Sequence, residues 1–142
     1  LRHLSFAVAL LAIGGSASAN PDMTAPDAAA AVAAGKVTLI DIRTPPEWKE
    51  TGIAKGAKLV NMQHPQGGPG FTNALLEQVN GNKDAPIALI CRTGNRTTQV
   101  QRYLQSQGFT NVYNVKEGMA GSGAGPGWIK RGLPVETCST QC

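Results

Sequence analysis

Cys91 directly follows an apolar run, Pro86-Ile87-Ala88-Leu89-Ile90, and precedes Arg92-Thr93-Gly94-Asn95-Arg96-Thr97. A buried free cysteine is common in protein cores, but a core cysteine needs neither flanking arginines nor a Gly-Asn turn. If the run is a strand and Thr97 to Gln107 a helix, three effects converge on the sulfur. The helix start offers unpaired N–H groups and partial positive charge. The glycine-containing turn aims further N–H groups at one point, a nest for an anion. Arg92 and Arg96 add positive charge. All three favour an anionic, nucleophilic sulfur, and the same cradle suits a small anionic substrate.

The other chemistry-bearing side chains are less committed. Cys138 and Cys142 close the chain, and in an oxidising compartment they suit a small disulfide. A loop that short restrains little chain. The sharper expectation is a redox pair that works with Cys91; whether the two bond is left open. Two local ligands are too few for zinc, so no metal site is expected. His64 stands in a Pro-Gly loop without ligand neighbours and reads as a surface histidine. Asp41, Arg43 and Glu47 read as a buried polar clasp, with Arg43 and Glu47 spaced to pair across a helical turn. Trp48 and Trp128 read as core or lid residues.

The elements that must hold these residues alternate. Thr24-Ala25-Pro26-Asp27 is a capping signal for a helix through Ala34, stopped by Gly35. Val37 to Ile40 reads as a buried strand. A second capping box, Thr44-Pro45-Pro46-Glu47, opens a short helix ending by Gly52. Lys58 to Asn61 is a short strand, Gln63 to Gly70 a surface loop, and Phe71 to Val79 a helix. Pro86 to Ile90 is the clearest strand, followed by the helix Thr97 to Gln107 and the strand Val112 to Val115. Trp128 to Arg131 reads as a final helical turn. Strands alternating with helices give an α/β domain with a mainly parallel central sheet flanked by helices. In such sheets ligands bind beyond the carboxyl ends of the strands, where Cys91 is delivered.

The 142 residues suffice for one domain, and 42% hydrophobic with 15% charged residues suits a packed core. The net charge of +4 is scattered and aromatics are only 5%, so nucleic-acid binding is not supported. Residues 1–19 read as a signal peptide: Arg2 and His3, an apolar run from Leu4 to Ile13, then Ala17-Ser18-Ala19. That run rises about 15 Å as a helix, against roughly 30 Å of bilayer core. The expected division is leader 1–19, domain 20–136 and tail 137–142. The expected mature product is an exported, periplasmic protein with no membrane segment, taken as a monomer by default.

The loop Cys91-Arg92-Thr93-Gly94-Asn95-Arg96-Thr97 resembles the active-site loop of rhodanese-family sulfurtransferases. Asp41-Ile42-Arg43 with Glu47-Trp48 resembles the family's first marker. Gly52-Ile53-Ala54-Lys55-Gly56-Ala57 resembles its second, with Ile53 where a histidine often stands. Trp128 to Val135 is similar to its C-terminal signature. The stretch from Gly118 to Gly127 is longer than the family pattern, and reads as a flexible connector or a cover over the site.

The resemblance implies that Cys91 takes sulfane sulfur from thiosulfate or a persulfide and passes it to a thiol or cyanide. Arg92, Thr93, Gly94, Asn95, Arg96 and Thr97 would bind the substrate, with Arg92 and Arg96 holding departing sulfite. With that chemistry, Cys138 and Cys142 would receive sulfur from Cys91 or resolve its persulfide. No cofactor is implied. Related phosphatases and arsenate reductases place one residue more between cysteine and arginine, so oxyanion chemistry ranks behind sulfur transfer. The alternative of another class is a non-catalytic persulfide carrier or sulfide-sensing module.

Overall fold

Thr24 caps the first helix as its sequence implies: its Oγ1 accepts the Asp27 N–H at 3.2 Å. The computed structural model describes residues 21–142; the expected leader, residues 1–19, lies outside them. In chain order the elements are α1 (Ala25–Ala33), β1 (Thr38–Asp41), α2 (Pro45–Thr51), β2 (Ile53–Ala54), β3 (Lys58–Leu59), α3 (Gly67–Glu77), β4 (Ile87–Ile90), α4 (Asn95–Ser106), β5 (Val112–Asn114) and β6 (Val135–Glu136).

Four strands form one parallel sheet in the spatial order β3-β1-β4-β5. This is the expected α/β architecture with a parallel centre. β1 and β4 lie in the middle, with Asp41 opposite Ile90. From β1 the chain moves outward to β3, then crosses back to β4 on the other side. The strand order therefore reverses between β1 and β4, and the crevice beyond their carboxyl ends is the place where such sheets bind ligands.

Alternation along the strands sorts the core onto two faces. Ile40, Ile87, Leu89 and Cys91 pack with Phe71 and Leu75 of α3 and Val100 and Leu104 of α4. Leu39, Ala88 and Ile90 pack with Ala25 and Ala28 of α1, and with Met119 and Trp128. Every residue of β4 is fully buried, which is why its sequence is an unbroken apolar run. Trp48 and Trp128 are both core residues.

Two features depart from the sequence reading. The expected loop Gln63 to Gly70 is shorter, because Gly67-Gly68-Pro69-Gly70 already forms the first turn of α3. Helix propensity argues against three glycines there, but Pro69 tolerates a first turn and Phe71, Thr72 and Leu75 bury the following face. The second is an antiparallel pair, β2 with β6, too short to leave a periodic signal. It brings the chain after Trp128 back across Gly52, where an added Cβ would lie 2.6 Å from the Glu136 carbonyl oxygen.

Candidate active site

Cys91 continues the face of β4 that carries Ile87 and Leu89, so its side chain turns toward the start of α4. It is fully buried. Its Sγ accepts the Gly94 N–H at 3.2 Å and lies 3.6 Å from Thr97 Oγ1. The Thr97 hydroxyl is also 3.0 Å from the Gly94 carbonyl oxygen. One hydroxyl proton thus faces two acceptors, and rotation lets it serve an anionic sulfur when one is present.

The loop is held by backbone geometry. Gly94 is the N-cap of α4 with φ of 84°, and a Cβ there would collide with the Lys116 carbonyl. The segment after β5 lies against the loop: Met119 N–H donates to the Cys91 carbonyl and Ala120 N–H to the Arg92 carbonyl, both at 2.9 Å. The stretch Gly118 to Gly127 is therefore pinned rather than a loose connector. Ser122 and Gly125 bridge each other, and Glu117, 2% exposed, takes the Gly127 N–H, the Ala25 N–H and the Arg131 guanidinium. Burial raises the Glu117 carboxyl, and those donors outweigh it to leave the group below its usual range. Met119 and Ala120 reach the site; Gly123 and Ala124 stay exposed.

Above the loop opens a cavity of about 600 Å³. Arg92 and Arg96 line it from the loop, and Arg43, Glu47, Glu50 and Thr51 from the end of β1 and from α2. Met119, Ala120 and Ile129 form its apolar wall.

The expected pairing of Arg43 with Glu47 does not form. Arg43 turns inward instead: Nε and Nη2 meet the Asp41 carboxylate at 2.8–3.1 Å, Nη2 also reaches the Gly52 carbonyl at 2.9 Å, and Nη1 reaches Thr51 Oγ1 at 2.8 Å. This is a buried polar clasp, tying the end of β1 to the end of α2. Glu47, left by Arg43, grips Arg96 with both oxygens at 2.7 Å. The Thr44 hydroxyl also donates to Glu47, at 3.1 Å, instead of capping an N–H of α2. The Arg96 guanidinium holds the Glu47 carboxyl down at about 2, and Glu47 in turn raises Arg96.

The remaining candidates separate. Arg92 is exposed at the cavity rim, Thr93 half-buried, and Asn95 exposed at the first turn of α4. Thr93 and Asn95 line a different surface hollow, with Lys116. His64 is half-buried, with Nδ1 accepting the Gln66 N–H at 3.1 Å. Cys138 and Cys142 are bonded as a disulfide, and Cys138 packs against Trp48 and Ile53, a cluster separate from that of Cys91. The sequence reading missed Glu47 as a site residue, and Glu50, Met119 and Ile129 altogether. For Glu47 a signal existed: an acid in the first turn of a helix that starts just beyond a central strand's carboxyl end.

The sequence pattern of the Rhodanese-like domain matches residues 24–123. The chain belongs to the rhodanese-like family. This rhodanese-like chain is 31% identical over 98 residues to an uncharacterized protein of Rickettsia prowazekii, covering 68% of this chain and 80% of that protein. It is 31% identical over 99 residues to a sulfurtransferase of Allochromatium vinosum, covering 70% and 78%. The polysulfide-sulfur transferase of Wolinella succinogenes shares the rhodanese fold, with a TM-score of 0.65 at 24% identity over 86% of this chain and 82% of that one. The rhodanese-like domain thus places its strand-end cysteine in a loop whose Arg92 and Arg96 line a cavity shared with α2 and the segment after β5.

Proposed function

We propose that this chain is a sulfurtransferase that carries sulfane sulfur on Cys91, from thiosulfate or a persulfide to a thiophilic acceptor. The observation that carries the reading is the seat of the sulfur: Cys91 Sγ at the carboxyl end of β4, taking the Gly94 N–H at the start of α4, in the loop whose Arg92 and Arg96 line the cavity. With thiosulfate, Cys91 thiolate attacks the outer sulfur. A bond forms between Sγ and that sulfur, the sulfur–sulfur bond to the sulfite group breaks, and sulfite leaves with the electron pair. A nucleophilic acceptor then attacks the outer sulfur of the persulfide and restores Cys91. The Gly94 N–H stabilises charge near Sγ. Arg92, in no ion pair among the described residues, is the cation open to the departing anion.

The test is thiocyanate formation from thiosulfate and cyanide. Wild-type protein should turn over and Cys91→Ser should not; equal rates in both would end this reading. A second reading, a persulfide carrier, draws on the full burial of Cys91 and the capture of Arg96 by Glu47. It predicts one sulfur taken up per chain, seen by mass spectrometry, without turnover. The reading as an exported protein of an oxidising compartment is supported by the Cys138–Cys142 disulfide.

A further inference from the structure

The cavity beside the cysteine loop has a charge pattern that an inorganic dianion does not explain. Of its three arginines, two are already satisfied. Arg43 spends all three nitrogens on Asp41, Thr51 and the Gly52 carbonyl. Arg96 spends both terminal nitrogens on the ionised Glu47 carboxylate. Two charged groups remain for a ligand: Arg92 and Glu50. Both are exposed, and among the described residues neither is in an ion pair. They carry opposite signs, so the mouth is near neutral rather than anion-attracting.

Size and polarity point the same way. A cavity of about 600 Å³ admits an organic ligand. Its third wall is apolar, with Ile129 42% exposed. A ligand matched to these walls has an apolar stem, a carboxylate for Arg92 and an ammonium for Glu50, and for sulfur transfer it carries a thiol.

We infer that Glu50 is a specificity-determining residue, and that the site's sulfur acceptor is a zwitterionic thiol of the α-amino-acid class rather than a simple anion. This rests on the sulfur-transfer reading above and names its acceptor. The thiolate attacks the outer sulfur of the Cys91 persulfide. A sulfur–sulfur bond forms on the acceptor, the bond from Sγ to the outer sulfur breaks, and Cys91 leaves with that electron pair as the thiolate. No oxidant or reductant is consumed. Glu50 attracts the ammonium and repels acceptors that carry only negative charge.

The experiment feeds full-length protein with thiosulfate and compares cysteine with N-acetylcysteine, which lacks the ammonium. Rates are normalised to the thiolate concentration of each acceptor and to its rate with a small-molecule disulfide, because thiolate nucleophilicity changes with thiol pKa, and cyanide serves as the acceptor with neither ammonium nor apolar stem. Wild type should favour cysteine in kcat/KM by up to about fivefold, the upper end for a solvent-exposed ion pair. In Glu50→Gln the cysteine rate should fall and the N-acetylcysteine rate rise, so that the ratio collapses toward one. In Glu50→Lys it should invert. A wild-type ratio near one, or a ratio indifferent to Glu50, overturns the inference while thiocyanate formation leaves sulfur transfer standing. No sulfur passed to any acceptor, cyanide included, removes both.

Discussion

Arg96 Nη1 and Nη2 each lie 2.7 Å from one of the two carboxylate oxygens of Glu47. The pair joins the first turn of α4, which holds the cysteine loop, to the first turn of α2. It is a bidentate fork, the geometry that best fixes a guanidinium in place. Its consequence is double: Arg96 is oriented, and its charge is spent before any substrate arrives.

Replacing Glu47 by Gln should therefore separate the two effects. With a charge released beside the cavity, KM for thiosulfate should fall several-fold, while kcat drops because Arg96 loses its fixed position. Steady-state kinetics with thiosulfate and cyanide read both. An unchanged KM would show that Arg96 is not reached by the anion. The same pair sets an acid dependence. Glu47 sits at about 2 against an ordinary 4.5, so its stabilisation is fully present above about pH 4.5 and is lost as the pH falls toward about 2. The side chains are 24–29% exposed, so the loss should stay within about 1 kcal/mol. Denaturant midpoints of wild type and Glu47→Gln should converge as the pH falls through that window.

The clasp of Arg43 on Asp41 carries more weight, because its side chains are 1% and 0% exposed. Removing one partner strands a buried charge, which costs about 3–5 kcal/mol. Arg43→Ala should lose that much in urea unfolding, since it also frees the Thr51 hydroxyl and the Gly52 carbonyl. The double variant Asp41→Asn with Arg43→Met should recover part of it. A loss below about 1 kcal/mol would mean that water enters and solvates the remaining carboxylate.

The sheet and the cysteine loop were legible because they obey local rules. β4 is buried on both faces and so is apolar throughout, and Gly94 marks the turn that starts α4. What escaped the sequence was set by tertiary contact. Glu47 and Arg96 are 49 residues apart, and no periodicity links them; the spacing of Arg43 and Glu47 suggested a closer partner. Burial decided otherwise: Arg43 lies at the end of a central strand, 1% exposed, and its ion pair is with the equally buried Asp41. β2 and β6 were illegible for a different reason. They have two residues each and form because Gly52 lets the chain approach.

Thr97 should matter to the chemistry more than to the fold. Its hydroxyl lies 3.6 Å from Cys91 Sγ and 3.0 Å from the Gly94 carbonyl oxygen, fully buried. Thr97→Val keeps the shape and removes the only side-chain donor within reach of the sulfur among the described residues. Sulfur uptake from thiosulfate, followed by stopped-flow, should slow by about tenfold, the order expected for one hydrogen bond to a charged group. Fluorescence melting should shift little by comparison. An unaltered uptake rate would leave the Gly94 N–H as sufficient.

The disulfide tests whether the chain's end is a staple or a reactant. Cys138 is 9% exposed and packs on Trp48 and Ile53, while Cys142 is half-buried. Trp48 belongs to α2, the helix that presents Glu47, so the disulfide steadies the helix that grips Arg96. The loop it closes is short, and chain entropy then limits its contribution to about 2 kcal/mol. Cys138→Ser with Cys142→Ser should lower the melting temperature within that limit and leave thiosulfate–cyanide turnover intact. Turnover with a thiol acceptor is the discriminating readout. A staple leaves it unchanged, whereas a pair that receives sulfur from the Cys91 persulfide loses it when both sulfurs are gone. The two outcomes differ because cyanide reaches the persulfide without help, and a relay through Cys138 and Cys142 would serve only the thiol route.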